Sequence, residues 1–358
     1  MSRETSRAPR AIRTPFRSVR EFDIVTLDRV RRMDIEADLD VWMEYAWKKE
    51  IHGSILAYLG MKKDHFYSVE NTVDGKFFVT ARGWEDLSEI LKAYEELGVE
   101  ITENLIGEYL CRDEIARSFF ASYQLYRKYG EDYGLKRLLS GEMAEEEQQK
   151  KVKMAEGASF EERFLVTGLL LSGLNGSFLD YEKLDKETGA VYQELLHLKA
   201  FLHDKKDMTA LDEFTDVKKK SLAVRLEAEL LNLEQQTTEE FVIRTLEEFS
   251  FTIRKEHITD TETGFERIRQ LFTEMVEKRK DCAKKISREL ERAFAFMKAC
   301  FGDGQETVLF VTGLTRNSHA AAFIREYGCD PYFACSEKLL YRKQEKKLQE
   351  ECESLLKI

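Results

Sequence analysis

Two arginines occupy positions from which a guanidinium can reach a bound anion. Arg82 lies in the segment 78–88 (FVTARGWEDLS), at the start of a predicted helix, and Arg29 precedes a predicted short strand. A guanidinium at a helix start extends beyond the helix end, where it forms paired hydrogen bonds with phosphate or carboxylate oxygens. Arginines are more often surface or salt-bridged side chains, so that alternative stays open for both residues.

The usual phosphate-binding loop does not occur in this sequence. The motif G-x-x-x-x-G-K-[ST] fails at Gly75-Lys76, because Phe77 follows the lysine and Glu70 holds the position of the first glycine. The motifs G-x-G-x-x-G, G-x-S-x-G and H-E-x-x-H are also absent. Without a nest of backbone N–H groups to hold a triphosphate, we expect this chain not to bind or hydrolyse ATP alone.

The spacing of the histidines and cysteines does not match that of known metal sites. His52 and His65 are thirteen residues apart with no accompanying cysteine or carboxylate pattern. Cys329 and Cys335, with His319 upstream, lack the spacing of zinc sites. We therefore expect no metal site and interpret these residues as structural or surface side chains.

The elements that must position these residues are predicted to be helical. The 358 residues contain only three prolines, and none lies between residues 16 and 330. The net charge of −11 argues against nucleic acid and anionic membranes as partners, and the longest mostly apolar run, 164–174, is too short to cross a bilayer. Six cysteines without a C-x-x-C motif indicate reduced thiols and a cytoplasmic protein.

Local signals place several element boundaries. Asp74-Gly75 predicts a loop or a small hairpin between 64 and 80, and Thr80 is a candidate N-cap for a helix that ends near Gly98. A longer helix is predicted over 102–128. Two capping-box patterns predict further helix starts: Ser159 with Glu162, and Thr237 with Glu240.

The clearest periodicity covers residues 265–300, where apolar residues alternate in steps of three and four. This pattern predicts a long helix with one apolar seam, packed antiparallel against neighbours near 209–234 and 238–254. The predicted fold is mainly α: a helical lid-like domain followed by an elongated helical hairpin or bundle, with at most a short strand or small hairpin.

The predicted organisation has five parts. They are a disordered basic tail (1–20), a remnant core strand with a helical lid (21–140), a linker (141–158), a helical bundle (159–300) with a long helix at 261–300, and a C-terminal helical segment (301–358). The basic start, with six arginines among twenty residues, is interpreted as a tail or as a start codon inside a longer gene, with an organellar transit peptide as the alternative.

Three segments in this order resemble the MoxR-like branch of the AAA+ ATPases. They are 26–30 (TLDRV), 34–38 (DIEAD) and 78–88. In that family a similar D-R segment ends the nucleotide-binding core, a last strand follows, and a helical lid carries an arginine at a helix start. The chain resembles the C-terminal part of such an ATPase, without the module that contains Walker A, Walker B and sensor 1.

The resemblance implies specific roles and partners. Arg82 would be the lid arginine called sensor 2, which touches the γ-phosphate, and Arg29 would be the finger that reaches a neighbouring subunit's nucleotide. ATP and Mg²⁺ would act only in the complete assembly, whose partners are an AAA+ core or identical subunits in a ring and an unidentified client protein. The alternative is a helical scaffold or protein-interaction module with no nucleotide role, and an enzyme with another kind of site is a third possibility.

Overall fold

The structure is a computed structural model that describes residues 36–339, apart from 73, 74, 204 and 206. Within these residues the fold is mainly α-helical with one two-stranded antiparallel sheet, so the predicted fold class is confirmed. No helix in this part of the chain combines the length and apolar character needed to cross a membrane. The predicted tail at 1–20 and the predicted core strand before residue 36 lie outside the described residues.

Short helices and one hairpin form the first part of the described chain. They are α1 Leu39–Lys48, α2 Gly53–Met61, β1 Ser68–Thr72, β2 Gly75–Val79, α3 Ala81–Leu97, α4 Glu103–Tyr109, α5 Asp113–Tyr133, α6 Leu135–Ser140 and α7 Glu145–Glu156. The hairpin pairs Ser68 with Val79, as the turn signal predicts. Thr80 caps α3, since its hydroxyl accepts a hydrogen bond from the Gly83 N–H, and Gly98 ends this helix at a φ of 66°.

The helix predicted over 102–128 is two helices. α4 ends at Tyr109 and α5 begins at Asp113, because the chain between them pairs with the hairpin. The backbone N–H of Phe78 donates to the carbonyl of Cys111 at 3.2 Å. This pairing joins residues far apart in sequence, and local periodicity carries no signal for it.

Longer helices form the second part. They are α8 Phe160–Leu202, α9 Thr209–Glu227, α10 Leu233–Lys255, α11 Thr261–Phe301, α12 Gln305–Arg316, α13 Ser318–Tyr327 and α14, which begins at residue 330 and reaches the last described residue, 339. Ser159 caps α8 as predicted, because its hydroxyl accepts from the Glu162 N–H. The cap predicted at Thr237 is wrong: α10 begins five residues earlier, where Asn232 and Gln235 form the capping box.

α11 corresponds to the long helix that the apolar seam predicts, but its main neighbour differs from the prediction. α11 packs antiparallel along α8, a helix of 43 residues, and touches α10 over a shorter stretch. α9, which covers most of the predicted neighbour 209–234, packs on α10 and α8 instead. The seam on α11 fixes which face is buried but not which helix covers it.

Two hydrophobic cores lie along the α8–α11 pair. The head contains α1–α7, the first half of α8, the second half of α11, and α12 and α13. The bundle contains the second half of α8, α9, α10 and the first half of α11. The predicted linker at 141–158 falls inside the head, because Met143 and Ala155 belong to its core.

A polar junction separates the two cores. Tyr181 is the last α8 residue in the core of the head, and the core of the bundle starts at Val191. Between them, Arg279 of α11 binds Asp185 of α8 at 2.7 Å and Glu326 of α13 at 3.1 Å. Ionic contacts thus replace apolar packing between the head and the bundle.

Candidate functional site

Arg82 lies in the first turn of α3, on the surface of the head. Its side chain is 88% exposed, and its neighbour is Asp86, one turn along the same helix, with 3.6 Å between Nε and Oδ2. An exposed pair of this kind contributes little to stability and does not immobilise the arginine. The guanidinium is therefore available to an anion that approaches the start of α3.

The backbone beneath Arg82 is held firmly. Trp84 is fully buried, donates from its indole nitrogen to the Phe66 carbonyl at 3.1 Å and packs edge-to-face against Phe119. At Gly83 an added Cβ would lie 2.9 Å from the carbonyl oxygen of Tyr109, so this position requires glycine for the close contact between α3 and α4. The exposed arginine thus extends from a rigid turn.

Arg29, the second arginine identified in the sequence, lies outside the described residues. Its predicted role as a finger toward a neighbouring subunit stays a prediction. The structure consequently describes one member of the predicted pair.

The candidate metal ligands are occupied by other contacts. His65 Nδ1 lies 2.6 Å from the Tyr58 hydroxyl, and burial lowers the pKa of this imidazole. His319 pairs with Glu182 of α8, and burial raises the pKa of the Cys329 thiol. Within the described ranges, no group of three or more histidine, cysteine or carboxylate side chains is arranged to hold a metal ion.

A large cleft lies on another side of the head, between the end of α3, the second half of α5, α6 and α8. Its volume is about 1040 Å³, at the upper limit of what is usual for ligand sites in proteins. Glycines line several of its walls: Gly98, Gly130, Gly134, Gly173 and Gly176. His52 and Glu95 lie at its base.

The polar groups at this base satisfy one another. His52 Nδ1 accepts from the Ser54 backbone N–H at 3.3 Å, so the ring proton resides on Nε2, which donates to Glu95 Oε2 at 3.2 Å. The other carboxylate oxygen of Glu95 accepts from the Tyr123 hydroxyl at 2.8 Å. With both ring nitrogens and both carboxylate oxygens engaged, this network ties α2, α3 and α5 together.

The titration of these groups agrees with a structural role. Burial pushes the pKa of Glu95 up, but the hydrogen bonds from His52 and Tyr123 and the charge of Arg127 outweigh it, so the net pKa lies below its ordinary value. Burial raises the pKa of Tyr126 to about 12, which keeps this phenol neutral.

Sequence reasoning missed Glu95 and Tyr123. The His52–Glu95 contact spans 43 residues, and neither residue belongs to a motif. The available signal was the position of His52 just before the apolar helix 53–61, where its ring nitrogen accepts a backbone hydrogen bond as an N-cap.

Comparison with known proteins returned no match. No family model matches the chain, and neither the curated proteins nor the solved structures contain a significant relative.

Proposed function

We propose that this chain acts as the lid and C-terminal helical region of a MoxR-like AAA+ ATPase. In this role it packs against a nucleotide-binding core, presents Arg82 to the γ-phosphate and transmits the nucleotide state to a client protein. The complete assembly uses ATP and Mg²⁺, works in the cytoplasm and contains an AAA+ core or identical subunits in a ring. The chain itself supplies no P-loop.

The observation that supports the proposal is the geometry of Arg82. An arginine that stabilises charge on a transferring phosphoryl group must be free at its guanidinium and fixed at its backbone. Arg82 combines an 88% exposed side chain with a turn held by the Thr80 cap and by the contact of Gly83 with α4. Arg29 would serve the neighbouring subunit in the same assembly.

The first test is ATP turnover by this chain alone. We expect no release of phosphate from MgATP above the rate in buffer, because no loop of backbone N–H groups holds the triphosphate. Steady turnover by the purified chain would contradict the proposal.

The second test uses a MoxR-like core that carries Walker A and Walker B, encoded upstream of this chain or supplied separately. We expect the chain to stimulate ATP hydrolysis by that core, and Arg82→Ala to lower the stimulated rate by roughly 100-fold, the loss expected for one donor to the transition state. Arg117→Ala is the matched control, since Arg117 is also exposed in the head and pairs with Glu103. No stimulation by the wild-type chain, or equal rates for both variants, would refute the proposal.

A helical protein-interaction module is the second candidate. The observation that favours it is the group of exposed apolar side chains on α9, on α10 and at the turn between them: Val217, Val224, Leu230, Leu233 and Phe251. In this case Arg82→Ala and Arg117→Ala would behave alike in every assay, and stability would change by no more than about 0.5 kcal/mol in either variant.

A further inference from the structure

A basic cleft lies where the end of α6 meets the second half of α11. Its volume is about 310 Å³, and its lining consists of Ser140, Asp281, Lys284, Lys285, Arg288 and Arg292. Four cationic side chains face one carboxylate, although the whole chain carries a net charge of −11. The cleft is therefore locally positive on a protein whose net charge is negative.

Arg292 is fixed in this cleft by the end of α6. Its Nη1 donates to the Leu139 carbonyl at 2.7 Å. Gly141 ends α6 with a φ of +80°, and a Cβ added there would lie 2.4 Å from the guanidinium carbon of Arg292. Glycine leaves room for the guanidinium to lie against the chain here, and the hydrogen bond to the Leu139 carbonyl orients Arg292 before any ligand arrives.

The two lysines are partly neutralised, but the two arginines are not. Lys284 binds Asp281 at 3.0 Å, and Lys285 lies 3.7 Å from the buried carboxylate of Glu289. Arg288 has no hydrogen bond or ion pair with any described residue, and Arg292 meets only the neutral carbonyl of Leu139. Residues 288 and 292 are one helical turn apart, so both uncompensated guanidinium groups lie on the same side of α11.

We propose that the basic cleft binds a small phosphate-bearing anion through Arg288 and Arg292. Guanidinium groups form paired hydrogen bonds with phosphate oxygens, and two of them match the charge of a phosphate dianion. The volume of the cleft is at the small end of ligand sites, as suits a phosphate or pyrophosphate group. This proposal is independent of the function assigned to Arg82.

Titration calorimetry with inorganic pyrophosphate at about 50 mM salt tests this site. We expect saturable binding by the full chain, weaker as the salt concentration rises. Arg288→Gln should weaken binding roughly 10-fold, because it removes charge-assisted hydrogen bonds to the anion. This variant should fold normally, since Arg288 is exposed and makes no hydrogen bond or ion pair with any described residue.

Arg269→Gln is the matched control. It makes the same change of charge on the same helix, but Arg269 lies in the bundle and pairs with Glu266 on its own helix. We expect its affinity for pyrophosphate to equal that of the wild type. The proposal would be overturned if the wild type showed no saturable binding or bound sulfate as tightly as pyrophosphate. It would also be overturned if Arg288→Gln left the affinity unchanged, or if both variants lost affinity equally.

Discussion

The head and the bundle bury their apolar side chains in different ways. The core of the head is built around large rings: Tyr58, Trp84 and Phe119 contact one another with ring centroids 5.3–5.9 Å apart. The core of the bundle is mostly aliphatic, and Phe249 is its one ring among the described buried residues. The head thus buries a cluster of large rings, whereas most rings of the bundle, such as Phe241 and Phe272, are only partly buried at the edge of its core.

The surfaces of the two regions differ in where the exposed apolar side chains lie. The bundle exposes Val224, Leu230 and Leu233 to at least 64%, around the turn between α9 and α10. The head exposes single apolar side chains on different helices, such as Val41 of α1 at 65% and Leu97 of α3 at 74%.

The largest expected effect is in the core of the head. Trp84→Ala should lower the free energy of unfolding by about 3–5 kcal/mol, because it removes a fully buried ring and leaves a cavity. Urea denaturation followed by the fluorescence of Trp42 and Trp47 measures the change. Phe251→Ala, at a side chain 63% exposed in the bundle, is the control, with an expected change within about 0.5 kcal/mol. A loss below about 1 kcal/mol at Trp84 would contradict the picture of a ring-centred core.

A buried leucine of the bundle comes next. Leu246→Ala should lower the free energy of unfolding by about 2–3 kcal/mol, at the low end for such changes, because side chains packed against this core, such as Phe241 and Phe272, are only partly buried and have room to move inward. All three tryptophans lie in the head, so their fluorescence reports on that region alone. We expect Leu246→Ala to shift the midpoint measured by far-UV circular dichroism more than the midpoint measured by fluorescence. Equal shifts would mean that the two regions unfold as one unit.

Two threonines compare a true helix cap with a false one. Thr80→Ala should destabilise the head by about 1 kcal/mol, since the hydroxyl caps α3. Thr237→Ala should change stability by less than about 0.5 kcal/mol, because its hydroxyl only bonds back to the Leu233 carbonyl inside α10. Thermal unfolding of both variants checks this, and a larger loss at Thr237 would reverse the assignment.

The smallest effect concerns the network at the base of the large cleft. The pKa of Glu95 is lower in the folded protein than its ordinary value of 4.5. The charged carboxylate therefore stabilises the fold at pH values above 4.5. This stabilisation is lost as the pH falls through the pKa of Glu95 in the folded protein. Glu95→Gln should therefore be less stable than the wild type at neutral pH, and the gap should close below pH 4.5. The effect is small because a third of the side chain is exposed to water. Urea midpoints at several pH values measure it, and a gap independent of pH would refute it.

Local signals predicted the helices well where one short segment determines the outcome. The caps at Thr80 and Ser159 and the helix end at Gly98 follow from side chains within a few residues of each boundary. The extent of α11 follows from the apolar periodicity of its own residues. The false cap at Thr237 shows the limit of this approach, because a capping box that starts at Asn232, five residues upstream, begins the helix earlier.

What the sequence did not predict depends on contacts between distant segments. The break before α5 needs the backbone of Phe78, and the network at the cleft needs His52 beside Glu95. The placement of Arg292 needs a glycine 151 positions earlier in the chain. Periodicity and spacing describe single elements, so such tertiary pairings are invisible to them.

The two long helices that run through both cores have a mechanical consequence. A helix of 43 residues is about 65 Å long, and α8 and α11 are continuous across the polar junction. A tilt of about 5° at the head end of the pair would therefore carry its far end through about 6 Å, so the two helices have the geometry of a lever arm.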